Sequence, residues 1–200
     1  MQIFSKLTRT VSGLRHTRLA AMAVAAAVLG AGAHTAIAQD TPPFGQPEDV
    51  AYAAALWSAL DRDRLVGAQK VLSMPYEGNP PHGAMLEYLE RQLRVGETLN
   101  RVIVKNNYAG EDLDRQQVLA SPQEYLASVT VMYRREEGYD PENQNWFWAK
   151  YNPDGSLQTN PKGVSLAGRV AKGMDQGCIA CHSAAPGGDY VYTYDLQAPE

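Results

Sequence analysis

Runs of β-branched and aromatic residues recur along the second half of the chain. Four of them, at residues 101–108, 128–134, 146–151 and 190–194, are rich in Val, Ile, Thr, Tyr and Trp. Residues of these types favour strands, and the runs lack the 3.6-residue period that a helical bundle requires. The pattern therefore predicts four strands.

Two segments upstream have a helical composition. Leu56, Trp57 and Leu60 form one apolar face within residues 48–66, and acidic residues open that segment, so we predict a helix there. Residues 85–93 are ambiguous. Their composition suits a helix, but the Gly-Glu pair that follows them would also allow a hairpin with residues 101–108.

A capping-box pattern begins at Ser121 and places Pro122 at the first helical position. It predicts a helical turn before the strand that starts at Ser128. Together the elements indicate one α+β domain, mainly an antiparallel β-sheet with flanking helices.

The first 38 residues have the organisation of a secretory signal peptide. Four basic residues and no acidic residue precede an alanine-rich apolar run, and Ala36-Ile37-Ala38 offers the small residues that signal peptidase recognises. The apolar run is short for a membrane span, and an uncleaved anchor is the alternative. We predict cleavage after Ala38, a mature domain at residues 39–200 and a periplasmic location.

Cleavage makes the protein more acidic. Loss of the four basic residues changes the formal net charge from −4 to −8. An acidic protein is a poor candidate for binding nucleic acid or an anionic membrane surface. The charge suits a soluble protein whose partners are basic or neutral.

Both cysteines of the chain lie in the sequence Cys178-Ile179-Ala180-Cys181-His182. This is the attachment motif of c-type haem. On a C-terminal helical turn, residues three and four positions apart share a face, so two thiols can reach the two vinyl groups while His182 ligates the iron. A thioredoxin-like site would need a βαβ setting, and zinc would need two further ligands at useful spacing. We therefore predict one covalent haem c.

The second axial position of the iron separates the possible functions. Electron-transfer cytochromes usually fill it with Met or His. The candidates in the mature chain are His82, which lies in a Pro-Pro-His-Gly loop, and four methionines, Met74, Met85, Met132 and Met174. No pattern singles out one of them, which favours an open coordination site.

The aromatic run and turn at residues 146–155, the late haem motif and the Tyr-Val-Tyr tail at residues 190–192 resemble the cytochrome P-460 family. Residues 81–83 and 101–105 are similar to its earlier segments. The resemblance implies a dimeric, mostly antiparallel β fold with His182 on the proximal side of the haem. Some family members oxidise hydroxylamine and bond their haem to a lysine side chain. The related cytochromes c′-beta lack that bond and bind small gases such as nitric oxide.

Lys105 matches the family's lysine by its distance upstream of the motif. Strand periodicity places Lys105 and Ile103 on one face, opposite Val102 and Val104, and Arg101 and Asn107 make that face polar. That face borders either solvent, which would make Lys105 an ordinary surface lysine, or a polar haem pocket. Lys150, on the aromatic strand, is the competing candidate.

The resemblance also implies a distal carboxylate that moves substrate protons. Glu136 and Glu137 match it in chain order, although with Arg134 and Arg135 they also read as a solvated charge cluster. Two function classes follow: an enzyme that oxidises hydroxylamine or a related small nitrogen compound and passes electrons to a soluble redox partner, and a gas-binding cytochrome without turnover. A plain electron carrier is the third, weaker interpretation.

Overall fold

The computed structural model describes residues 42–192, which belong to one compact unit, Gln39–Glu200. The predicted signal peptide and its cleavage site lie outside the described residues. Within residues 42–192, no helix combines the length and the apolar character needed to cross a membrane.

Within residues 42–192, six strands form one antiparallel sheet in which each strand pairs with the next in sequence. Their bounds are β1 Tyr76–Glu77, β2 Met85–Val95, β3 Thr98–Tyr108, β4 Leu126–Arg134, β5 Trp146–Tyr151 and β6 Ala167–Gly168. The α+β class and the antiparallel sheet are confirmed. The ambiguous residues 85–93 are a strand, paired in register from Met85 opposite Tyr108 to Val95 opposite Thr98 around the turn at Gly96.

In the described part of the chain, four α-helices accompany the sheet, α1 Pro47–Arg62, α2 Arg115–Ala120, α3 Pro122–Tyr125 and α4 Cys178–His182, together with a short 3-10 helix at Pro141–Asn143. The predicted first helix is confirmed and ends before Arg64, which has a positive φ of 58°. The predicted turn at Pro122 is present, but the capping box is wrong because the Ser121 side chain makes no capping bond. Asp114 caps the preceding helix instead, since its carboxylate accepts from Gln117 N at 2.8 Å.

Alternation along the strands divides the core between the two faces of the sheet. Val102, Val104 and Phe147 belong to the cluster that helix α1 covers through Leu56 and Leu60. The opposite face carries a second cluster, made from side chains of the sheet and of the segment that follows β6: Phe44, Ile103, Met132, Trp146, Trp148, Val170, Ala171, Ile179 and Val191. The segment at residues 169–192, which contains α4, therefore covers the face of the sheet that α1 leaves open.

The predicted strand at residues 190–194 is wrong for its described part. Residues 190–192 pair with no strand, and Tyr190 has a positive φ of 67°. Asp189 begins a turn by accepting from Val191 N at 3.1 Å, and the Trp146 indole nitrogen donates to the Asp189 carbonyl at 3.0 Å. These bonds bend the chain across the sheet although its residue types favour a strand.

Candidate functional site

The motif predicted from the sequence lies on helix α4, with both thiols free. Buried Ile179 anchors this short helix in the second core cluster. Gly177 precedes it with a φ of 118°, and a Cβ there would lie 2.4 Å from Ala171 Cβ, so this position requires glycine. Burial raises the pKa of the Cys178 thiol to about 11, which keeps it protonated at neutral pH.

His182 is held by one hydrogen bond that determines which nitrogen it presents. Its Nδ1 lies 2.7 Å from the Tyr190 carbonyl oxygen, and a carbonyl only accepts, so Nδ1 carries the proton. The Nε2 lone pair is then available to a metal, as in most metal-ligating histidines. Burial lowers the pKa of His182 and favours the neutral ring that ligation requires. The turn at Asp189 thus supplies the carbonyl that orients the imidazole.

Aromatic rings surround His182. Its centroid lies 4.9 Å from the Trp148 ring and 5.4 Å from the Tyr192 ring, both in edge-on arrangements. The Trp148 indole nitrogen is buried, and it finds no hydrogen-bond acceptor within residues 42–192. An unpartnered buried donor is costly and marks a place where a polar group of a bound molecule would fit.

His82 lies beside His182 although a hundred residues separate them in sequence. The two ring centroids are 6.3 Å apart. His82 Nδ1 lies 3.2 Å from the Asn107 side-chain oxygen, and the Asn107 nitrogen donates to the Lys105 and Ser128 carbonyls at 3.2 Å each. Burial, with Lys105 and His182 as smaller causes, lowers the pKa of His82 to about 4.

Lys105 is buried, with 7% of its surface exposed, so the surface-lysine interpretation is wrong. Its Nζ lies 5.9 Å from the centre of the Tyr88 ring, the cross-strand neighbour on β2. The Lys105 charge contributes to the lowered pKa of both His82 and His182. We call the region between Lys105, Trp148 and the two histidines the pocket.

Lys150 lies on the same face of the sheet and is half-buried. Lys105 pairs with Thr130 across β3 and β4, and Thr130 pairs with Lys150 across β4 and β5, so the three residues form one row. The Lys150 charge acts on His82 and Cys178. The two candidate lysines therefore flank one pocket, and only Lys105 acts on both histidines.

Glu136 is not brought to this pocket. Its side chain is 50% exposed and pairs with Arg135 at 2.7 Å. The Arg135 guanidinium lies 3.7 Å from the centre of the Tyr52 ring, and Tyr52 packs on Phe147, in the cluster beneath helix α1. Since Phe147 and Trp148 point to opposite faces of β5, Glu136 and His182 are on opposite sides of the sheet. Glu136 follows the predicted chain order but joins the charged cluster.

The pocket residues fit a covalently attached haem. Two free thiols and a neutral imidazole with an available Nε2 lie on one helical turn, and Lys150 and the unpartnered Trp148 nitrogen offer donors to the carboxylates of a porphyrin. Sequence reasoning did not identify Asn107, Trp148 or Tyr190 as site residues. Trp148 was visible only as part of an aromatic strand, and the Tyr190 carbonyl acts through backbone that no side-chain pattern reveals.

Residues 94–193, half of the chain, match the family model described as Cytochrome P460. The matched segment includes Lys105, Lys150, Trp148 and the whole of α4, whereas His82 and Tyr88 precede it. Neither a curated protein nor a solved structure matches the chain.

Proposed function

Because the chain belongs to the cytochrome P460 family, we propose that it is a periplasmic monohaem enzyme that oxidises hydroxylamine or a related small nitrogen compound. Cys178 and Cys181 would hold the haem through thioethers, and His182 Nε2 would ligate the iron. When bound, the haem supplies an iron that accepts electrons from the substrate. The observation that carries the catalytic proposal is the burial of Lys105, whose carbonyl shares the Asn107 side chain with His82.

Lys105 is suited to a bond with the edge of a porphyrin. It lies in the middle of β3, which pairs with a strand on each side, so its backbone position is rigid. A buried lysine side chain has lost the rotamer freedom that a surface lysine keeps, and little further ordering is needed to present its nitrogen. These features support the enzyme class over the gas-binding class, in which this bond is missing.

The chemistry requires an electron acceptor and a route for protons. Hydroxylamine, NH2OH, loses two electrons and two protons to give nitroxyl, HNO. We propose that the electrons pass one at a time to a soluble redox protein and the protons to solvent. The predicted net charge of −8 for the mature chain favours a partner with a basic or neutral docking surface. No catalytic role is proposed for Glu136.

The family resemblance also carries the expectation of a homodimer, which we retain as a proposal. Size-exclusion chromatography with light scattering on the mature, haem-loaded protein tests it. A monomer across the micromolar range would contradict it.

Proteolysis and mass spectrometry of the mature haem protein test the enzyme proposal most directly. We expect haem attached to two peptides, one with Cys178–His182 and one with Lys105. The Lys105→Arg variant should lose the second attachment and lose steady-state oxidation of hydroxylamine with an artificial electron acceptor. Lys150→Arg, the matched control from the same cross-strand row, should keep both.

Two outcomes would overturn this proposal in different ways. Haem attached to the Cys178–His182 peptide alone, with tight nitric oxide binding and no turnover, would identify a gas-binding cytochrome of the c′-beta type. Attachment retained in Lys105→Arg and lost in Lys150→Arg would assign the porphyrin bond to the competing lysine.

A further inference from the structure

The loop between β1 and β2 places a second imidazole, that of His82, beside the proposed iron ligand. His82 lies in this loop, and its backbone nitrogen donates to the Asn79 carbonyl at 3.0 Å. A Cβ on the neighbouring Gly83 would lie 2.2 Å from the Tyr108 carbonyl oxygen, so the loop packs directly on the end of β3. The position of His82 is therefore built into the sheet rather than left to a free loop.

Hydrogen bonds orient His82 as they orient His182. The Asn107 nitrogen donates to the carbonyls of Lys105 and Ser128, so the Asn107 side chain must present its oxygen to His82. That oxygen only accepts, and His82 Nδ1 therefore carries the proton. Both histidines donate through Nδ1 to a fixed acceptor, and each keeps the Nε2 lone pair for a metal.

The spacing of the two rings equals that of two imidazoles on one ion. A metal–nitrogen bond is about 2.0–2.1 Å long, and the ring centre lies about 1.1 Å behind the nitrogen, so two rings on opposite sides of an ion have centres about 6.3 Å apart. The centres of His82 and His182 are 6.3 Å apart, with the ring planes at 86°. An iron held by both rings would therefore need little movement of either histidine.

The methionines are poorer candidates for the same position. Met74 and Met174 are 62% and 53% exposed. Met85 belongs to the cluster beneath α1, on the other face of the sheet. Met132 is on the pocket face, but it is packed in the second core cluster with Ile103 and Trp148.

We propose that His82 is the sixth ligand of the haem iron in the resting protein. The inference rests on the proposed haem site and replaces its open coordination position by one that a protein side chain closes. A small ligand or substrate would then have to displace His82 Nε2. The Cytochrome P460 family match begins at residue 94, after His82, so the assignment of His82 rests on the geometry of this loop and not on the match.

The spin state of the iron in the mature protein tests this assignment independently of turnover. We expect the ferric protein to be low-spin in its visible absorption and electron paramagnetic resonance spectra. The crossed ring planes should give the strongly anisotropic type of low-spin signal. His82→Gln keeps a donor for the Asn107 oxygen but lacks the ligating nitrogen, so it should be high-spin, and added imidazole should restore the low-spin spectrum. Met132→Leu, the matched control, should remain low-spin.

Ligand binding provides a second measurement. If His82 occupies the iron in at least nine molecules of ten, only a tenth is open, and His82→Gln should bind cyanide at least about tenfold more tightly than the parent protein. A ferric protein that is high-spin before any substitution would overturn the assignment, and so would a low-spin spectrum unchanged in His82→Gln.

If His82→Gln does not fold, near-infrared magnetic circular dichroism of the unsubstituted protein can identify the two axial ligands instead. A band typical of histidine with methionine or lysine would overturn the assignment, and one typical of two histidines would support it. Failure of hydroxylamine turnover would leave these readouts intact, whereas absence of covalent haem would remove the proposed function itself.

Discussion

The buried ion pair between Lys70 and Glu87 offers a test of how the fold is stabilised. Both side chains are only 1% exposed, and Lys70 Nζ donates to Glu87 Oε2. The carboxylate also accepts from Ser73 N at 2.7 Å, from Asn106 Nδ2 at 3.3 Å and from the Tyr108 hydroxyl. The pair joins the segment after α1 to strands β2 and β3.

The magnitude follows from what each substitution leaves behind. At a separation of about 3 Å and an effective dielectric constant of about 20, the Coulomb attraction is about 5–6 kcal/mol. The cost of removing two ions from water offsets most of this attraction, so the pair adds little to the free energy of unfolding compared with two apolar residues of similar size. Removing one partner leaves the other charge buried and unpaired, which costs about 3–5 kcal/mol. We expect Lys70→Met to lose this amount of unfolding free energy, and Lys70→Met combined with Glu87→Gln to recover most of it.

Urea unfolding of the haem-loaded protein at pH 7, followed by far-UV circular dichroism, measures the effect. With a slope of about 2 kcal/mol per molar urea, the Lys70→Met midpoint should fall by about 1.5–2.5 M. Arg62→Ala removes an ion pair with Asp63 whose arginine side chain is 57% exposed, and it should cost less than about 1 kcal/mol. The reasoning is refuted if Lys70→Met unfolds within about 1 kcal/mol of the parent protein, or if the double variant loses the sum of the single losses.

Two further predictions concern stability. Gly83→Ala should lose more than about 2 kcal/mol of unfolding free energy because its Cβ would lie 2.2 Å from the Tyr108 carbonyl oxygen. In the control variant Gly110→Ala, the nearest atom to the new Cβ is 3.4 Å away, and the loss should be less than about 1 kcal/mol. Equal losses in urea unfolding would contradict the packing argument. Burial raises the pKa of Asp49 above 3.8. Between pH 3.8 and the raised pKa, the folded chain therefore keeps a proton that the unfolded chain releases. The contribution of Asp49 to the free energy of unfolding should fall as the pH rises through this range. Asp49→Asn should lack that part of the pH dependence, and identical pH profiles of the unfolding free energy for Asp49→Asn and the parent protein would refute this prediction. Hydrogen bonds from Ser156 lower the pKa of Asp154, so Asp154 should contribute a pH dependence of opposite sign.

Features that depend on near neighbours in sequence were predicted well. Residue type and alternation identified β3, β4 and β5, and the apolar face with its acidic first turn identified α1. The spacing of Cys178, Cys181 and His182 predicted that the two thiols and the imidazole lie on one helical turn. In each case the spacing along the chain determines the geometry, so no distant contact is needed.

The errors have a different origin. Residues 190–192 have the composition of a strand, but hydrogen bonds from Asp189 and to its carbonyl bend them across the sheet. Residues 85–93 could not be assigned because their strand exists only through pairing with β3. The sequence did not decide whether Lys105 faces solvent or a pocket, because alternation identifies the face of a strand but not the segment that covers it.

The sequence by itself determined the antiparallel sheet, the two faces of β3 and the Cys-x-x-Cys-His arrangement on one helical turn, because each follows from local periodicity or spacing. Only the tertiary structure decided that Lys105 is buried, that Glu136 and His182 lie on opposite sides of the sheet, and that the ring centres of His82 and His182 are 6.3 Å apart. The physical reason is that these relations depend on which segment packs over which face. A loop before β2 and a helix after β6 meet only once the sheet between them has formed.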